Sequence, residues 1–146
     1  MEEKYMKEAL RLARLAARDD EVPVGAVIVH DGKIIARGRN RREGKKNAVW
    51  HAEIEAIQKA CKSRGGWRLF SCDMYVTLEP CLMCAGAAIN ARMDNVYFGA
   101  YDEKAGAFGS KIDANGLSLN HKVNVVGGVL QGECQTILSD FFKRKR

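Results

Sequence analysis

Between Tyr5 and Ala17, apolar side chains fall at Met6, Ala9, Leu10, Leu12, Ala13, Ala16 and Ala17, with basic residues between them. Steps of three and four put these positions on one helical face. The period then changes. Val22-Pro23-Val24-Gly25-Ala26-Val27-Ile28-Val29 is a continuous apolar run and reads as a buried strand. Asp31-Gly32, inside His30-Asp31-Gly32-Lys33, signals a hairpin turn before Ile34-Ile35-Ala36. Arg37 to Lys46 is basic and irregular, with Asn40 and Gly44 as loop residues.

A second helix is predicted from about His51 to Lys62, stopped at Gly65-Gly66. Met74 to Leu78 reads as the next strand. Pro80 then opens a third helix, because proline is well tolerated in a first turn. That helix runs through Cys84, Ala87, Ala88 and Ala91 to about Arg92. Asn95 to Ala100 is another strand. Tyr101 to Lys122, rich in Gly, Asp, Asn and Ser, reads as loop. A last strand falls near Val123 to Val126, and a helix from about Glu133 runs into Lys143-Arg144-Lys145-Arg146. The order α-β-β-α-β-α-β-β-α implies a sheet covered by helices on both faces, a three-layer α/β/α arrangement.

Composition narrows the class. A chain of 146 residues suits one domain spanning 1–146, and 47% hydrophobic with 29% charged residues is ordinary for a globular protein. The longest apolar stretch, Val22 to Val29, falls far short of the ~20 residues that cross a bilayer. No membrane association is expected. Met1-Glu2-Glu3-Lys4 opens with acid and lacks an apolar signal core, so the expected compartment is the cytoplasm. The net charge of +6 points to a polyanionic partner, since cationic surfaces gain affinity by releasing counterions from phosphates. Many housekeeping proteins are equally basic, so charge alone leaves nucleic-acid binding open.

The five cysteines are an odd number, and two of them form Cys81-Leu82-Met83-Cys84. In a reducing compartment such a pair reads as metal or redox chemistry rather than a disulfide framework. His51-Ala52-Glu53 and Pro80-Cys81-Leu82-Met83-Cys84 each open a predicted helix. Residues three apart share one face of a first turn, and the positive end of the helix dipole favours thiolate over thiol. Cys81 and Cys84 with His51 make three zinc ligands, leaving a fourth position open for water, as a catalytic zinc requires. A closed structural site needs a fourth Cys or His. Cys61, Cys72 and Cys134 show no paired spacing that would supply one. Glu53, two residues past His51, must straddle the metal at the helix start, where it reaches the bound water without ligating zinc. H-x-E followed by P-C-x-x-C is the known signature of zinc-dependent nucleobase deaminases. The alternatives are a deaminase of another base substrate, whether a free base, a nucleoside or single-stranded DNA, and a non-catalytic zinc-stabilised RNA-binding module. The latter has no use for Glu53.

Taken together, Glu21 to Ala26, Asn40, His51-Ala52-Glu53, Tyr75 to Cys81, Met83 to Ala87, Phe98-Gly99-Ala100 with Asp102, Gly106 to Ser110, Asn120-His121 and Leu138 to Phe142 resemble the bacterial tRNA adenosine deaminases. That family lies within the cytidine deaminase-like superfamily, and the resemblance covers nearly the whole chain. It implies an α/β sandwich of three layers around a central five-stranded mixed sheet. It also implies a Zn2+-dependent homodimer that converts adenosine to inosine at the wobble position of a tRNA anticodon stem-loop. Glu53 is then the catalytic proton carrier. Asn40 hydrogen-bonds the target nucleoside, Asp102 lies near the substrate backbone and sugar, and Val24, Ala52 and Leu78 line the pocket. Without the resemblance, Asn40 reads as an ordinary loop asparagine, Asp102 as a turn residue, and Val24 and Leu78 as core.

Two positions depart from the family pattern. Many members lead into the histidine with Asp-Pro-Thr-Ala, whereas this chain has Asn47-Ala48-Val49-Trp50. Trp50 either stacks on a base or packs beneath the loop. Tyr101 stands where relatives are often basic, and an aromatic there suits stacking on a neighbouring nucleotide. The basic end Lys143 to Arg146 reads as phosphate contacts or a solvated helix end, and Phe141-Phe142 as helix packing or a nucleic-acid-facing surface.

Overall fold

The computed structural model describes residues 1–146. Its elements are α1 (Glu3–Arg18), β1 (Gly25–His30), β2 (Lys33–Arg39), α2 (Ala52–Arg64), β3 (Cys72–Leu78), α3 (Leu82–Asn90), β4 (Asn95–Ala100), β5 (Asn124–Val126) and α4 (Gln131–Arg144). A 3-10 turn at Ala114–Leu117 interrupts the long loop. The five strands form one sheet in the order β2-β1-β3-β4-β5. β1 runs antiparallel to both β2 and β3, while β3, β4 and β5 are parallel, so the sheet is mixed.

Alternation along the central strands builds two cores. Ala26, Ile28, Met74, Val76, Val96 and Phe98 face one side, with Ala52, Ala56 and Ala60 of α2 and Ala85, Ala88 and Ile89 of α3. Val27, Val29 and Tyr75 face the other, with Met6, Ala9 and Leu10 of α1 and Cys134 and Leu138 of α4. This is the three-layer α/β/α sandwich the sequence predicts, with period two in strands and 3.6 in helices setting the faces. Helices and strands seat closely through two glycines. A Cβ on Gly25 would stand 2.0 Å from the Ala9 carbonyl oxygen, and one on Gly38 would stand 2.2 Å from that of Ala52. The second contact lays the start of α2 directly on β2. No helix is long and apolar enough to cross a membrane. On the outer face of α1, Glu8 accepts from Arg11 and Arg37 at 2.6–2.8 Å.

The boundaries differ from the sequence reading in informative places. β1 begins at Gly25, not Val22, because the Val24 amide closes on the Val22 carbonyl and Pro23 has no donor to give. Arg37-Gly38-Arg39 extends β2, paired with Val27, Ala26 and Gly25, although its composition reads as loop. The third helix starts at Leu82, so Pro80 precedes it and Cys81 is its N-cap, in an extended conformation with φ −72° and ψ 176°. It ends at Asn90, with Arg92 in the left-handed region at φ 65°. α4 starts at Gln131, slightly before Glu133.

Candidate active site

The ends of β3 and β4 form one rim of the sheet, and the N-termini of α2 and α3 converge there. A crevice outside the carboxyl ends of parallel strands is where open α/β sheets place their sites. His51 is the N-cap of α2 and Cys81 the N-cap of α3, both in extended backbone, and Cys84 lies in the first turn of α3. N-cap geometry throws the His51 and Cys81 side chains toward the gap between the two helix ends. His51 Nδ1 lies 3.7 Å from Cys81 Sγ and 3.5 Å from Cys84 Sγ. The three ligand atoms all fall within 4.8 Å of one another. Tetrahedral zinc with Zn–S near 2.3 Å and Zn–N near 2.1 Å requires an S···N separation of roughly 3.6 Å. The donor set and its two nitrogen-to-sulfur separations therefore fit a zinc ion.

The electrostatics single out Cys81 within that donor set as the ready thiolate. The Cys84 thiol beside Cys81, together with His51, holds Cys81 down at about 4 against the opposing effect of burial. Cys84 is pushed up by Cys81 and by burial, and the Cys81 neighbour raises His51 above its ordinary value. Glu53 lies in the first turn of α2 and is 4% exposed. Burial pushes its carboxyl up to about 7, against the pull of its own backbone amide and of His51. A group poised there is competent both to accept and to release a proton at neutral pH.

A cavity of about 200 Å³ opens over these groups, its walls including Val24, Asn40, Leu78, Glu79, Asp102 and Ala105. Asn40 is buried, accepting from the Ala52 amide at 2.9 Å and donating through Nδ2 to the Val22 carbonyl at 3.1 Å. It thereby ties the end of β2 to the start of α2 and keeps one amide hydrogen to spare. Ala52 itself is fully buried in the core and contributes only its amide. Asp102 lines the cavity while its carboxylate accepts from the Lys104 and Ala105 amides, each at 3.1 Å, so it shapes a turn as well.

The full chain, residues 1–146, matches the MafB19-like deaminase family model. It is 47% identical to the tRNA-specific adenosine deaminase of Bacillus subtilis (strain 168), over 99% of this chain and 91% of that one. The chain belongs to the tRNA-specific adenosine deaminase family. A solved structure from work on A-to-I editing by tRNA:A34 deaminases at the wobble position of transfer RNA superposes with a TM-score of 0.87. It is 42% identical, covering 94% of this chain and 100% of that one. A guanine deaminase from Bacillus subtilis reaches a TM-score of 0.66 at 41% identity, over 69% of this chain and 65% of that one.

Within this deaminase, three residues to which sequence reasoning gave no role stand out, Arg42 and Glu79 at the cavity wall and Glu55 outside it. Glu79, 2% exposed, accepts from the Asp102, Phe108 and Ser110 amides and from the Ser110 hydroxyl. Its position directly before Pro80-Cys81 was the only available signal. Glu55, 5% exposed on α2, gathers Arg41, Lys59 and the indole N–H of Trp50. That last bond fits the reading of Trp50 as packed beneath its own loop. The indole packs under its own loop with Lys45 5.6 Å from the ring, and it does not line the cavity.

A larger groove of about 610 Å³ shares Val22, Leu78, Asp102 and Ala105 with the cavity. Tyr101 and Phe142 are exposed along it, with Lys104, Lys143 and Arg146. Phe141 is buried, as helix packing predicts, and only Phe142 faces outward.

Proposed function

We propose that this chain deaminates adenosine to inosine at the wobble position of a tRNA anticodon, with zinc held by His51, Cys81 and Cys84. The observation that carries the reading is Glu53: a buried carboxyl held at about 7, next to a donor triad with zinc spacing, in a cavity small enough for one base. Zinc in that triad supplies acidification of water, and so a nucleophile at neutral pH. Glu53 takes one proton from the attacking water and delivers it to N1 of adenine as the water oxygen bonds to C6. It then carries the second proton to the exocyclic nitrogen. The C6–N bond breaks, ammonia leaves, and C6 keeps the oxygen as the carbonyl of inosine.

The remaining residues position the base. The free Nδ2 hydrogen of Asn40 is available to an acceptor on the nucleoside, Val24 and Leu78 give apolar walls, and Asp102 stands at the mouth. Base extrusion is inexpensive from a single-stranded loop, which suits the anticodon. The adjoining groove suits the neighbouring nucleotides, with Tyr101 and Phe142 as stacking faces and Lys143 and Arg146 as phosphate contacts. A homodimer working in the cytoplasm as a single domain belongs to the same reading.

Incubation of the zinc-loaded protein with an anticodon stem-loop carrying a wobble adenosine should yield inosine. Guanine, free nucleosides and single-stranded DNA, tried in parallel, should release little ammonia. No inosine from the stem-loop, or preferential turnover of one of the others, overturns the proposal.

A further inference from the structure

Glu55 is a buried carboxylate for which the reaction above has no use. It projects from α2 but lies outside both the cavity and the groove. Every group gathered on it comes from the chain that leads into His51 or from α2 itself. The Arg39 amide donates to Oε1 at 3.4 Å, and Arg41 donates through Nε to Oε2 at 2.7 Å and through Nη2 to Oε1 at 3.4 Å. Trp50 Nε1 donates to Oε2, and Lys59 Nζ lies 3.3 Å from Oε1. The loop from Arg41 to Trp50 thus leaves from and returns to one carboxylate. Its two ends are also joined by the Arg41 amide donating to the Trp50 carbonyl at 3.1 Å.

His51 needs such support. Its side chain makes no cap bond, and its ring meets only the two cysteine sulfurs through Nδ1. A metal-bound histidine is ordinarily oriented by a carboxylate or carbonyl on its other nitrogen. No protein group does that here. The setting of the ring is left to the backbone on either side. On one side the Glu55 amide donates to the His51 carbonyl at 3.1 Å, and on the other the Glu55 carboxylate anchors Trp50.

We propose that Glu55 and Trp50 form a clamp that positions His51 for metal binding, so that both are positioning residues and Trp50 is not a substrate contact. The inference rests on the triad being a zinc site, and its readout is zinc retention rather than deamination. The test measures zinc release from the full-length protein to a chromogenic chelator in Trp50→Phe, Glu55→Gln and Lys59→Ala. Trp50→Phe keeps an aromatic ring in the loop and deletes the indole donor together with the five-membered ring that carries it. Trp50→Phe and Glu55→Gln should release zinc about 10–100-fold faster than the parent protein. The double variant should be no worse than Glu55→Gln alone, because the two act as one unit. Lys59→Ala removes a charge partner of Glu55 without touching the loop and should keep parental release. KM for the anticodon stem-loop should stay unchanged in Trp50→Phe.

Release within twofold of the parent in Trp50→Phe overturns the clamp, and this variant decides the matter even if Glu55→Gln fails to fold. A raised KM with unchanged zinc release would make Trp50 an RNA contact and overturn it too. Equal acceleration in Lys59→Ala would assign the effect to general weakening of α2. If zinc release behaves as stated but no inosine forms, the clamp stands and the proposed substrate falls.

Discussion

Glu79→Gln removes half of the acceptor capacity of one buried side chain and keeps its shape. The Glu79 carboxylate receives three backbone amides and one hydroxyl from Asp102 to Ser110, the segment that closes one wall of the cavity. In the better orientation of a glutamine, its oxygen replaces Oε2 and still accepts from Phe108 and Ser110. Its amide nitrogen then faces the Asp102 N–H, donor against donor, while the Ser110 hydroxyl rotates to accept. One buried backbone donor is stranded, at about 1–3 kcal/mol, and two charge-assisted bonds become neutral ones. The expected loss is about 2–4 kcal/mol, a large fraction of the ~5–15 kcal/mol that stabilises a domain. Tm should fall by roughly 4–16 °C at this chain length. Urea denaturation reads the global loss, and hydrogen exchange at the Asp102, Phe108 and Ser110 amides reads the local one. Gly106 offers a second perturbation of the same contact, since a Cβ there would stand 2.3 Å from the Glu79 carboxyl carbon. Gly106→Ala should destabilise the same segment, and the double variant should fall short of the sum. A Glu79→Gln protein within about 0.5 kcal/mol of the parent, with unchanged exchange at those amides, would refute the reasoning.

Three further outcomes are expected. Glu53→Gln should retain zinc and fold while kcat falls about 10²–10⁴-fold, and turnover close to parental would remove Glu53 from the proton path. Arg11 first, with Arg37 beside it, holds the Glu8 carboxyl at about 2, below its ordinary 4.5 and against its partial burial. Because the folded value is the lower one, the stabilisation is complete above about 4.5 and is lost as pH falls through about 2. The Tm gap between the parent and Glu8→Gln should therefore close across that window, and a gap independent of pH would count against the ion pairs. Neutralising Lys143 and Arg146 together should lower the slope of log affinity for the stem-loop against log salt by about 1.4, at roughly 0.7 per phosphate contact. An unchanged slope would take the α4 end out of the RNA interface.

Most of the architecture was legible along the chain. The apolar alternation through β1 and β3 and the helical period of α1 are local signals, and they survive in the two cores on either side of the sheet. His51, Glu53, Cys81 and Cys84 were legible for a related reason. Metal chemistry demands particular side chains at short spacings, and a helix start brings each pair together within a few residues. Other features depended on partners far away in sequence. Arg37 to Arg39 reads as loop until β1 lies beside it to complete its hydrogen bonds. Asn40 is an unremarkable polar residue until the Ala52 amide and the Val22 carbonyl stand on either side of it. Trp50 had two readings, and only the tertiary structure brings the Glu55 carboxylate against its indole, the contact on which the clamp rests. Glu79 carried no signal beyond its place directly before Pro80-Cys81, because a carboxylate is committed to the interior only when enough donors converge on it. Those donors come from a loop more than twenty residues downstream, which β4 alone brings back across the sheet. Residue types and their local spacing thus determined the chemistry this protein carries. The convergence of distant amides on buried carboxylates, which only the folded chain can satisfy, decided how that chemistry is held in place.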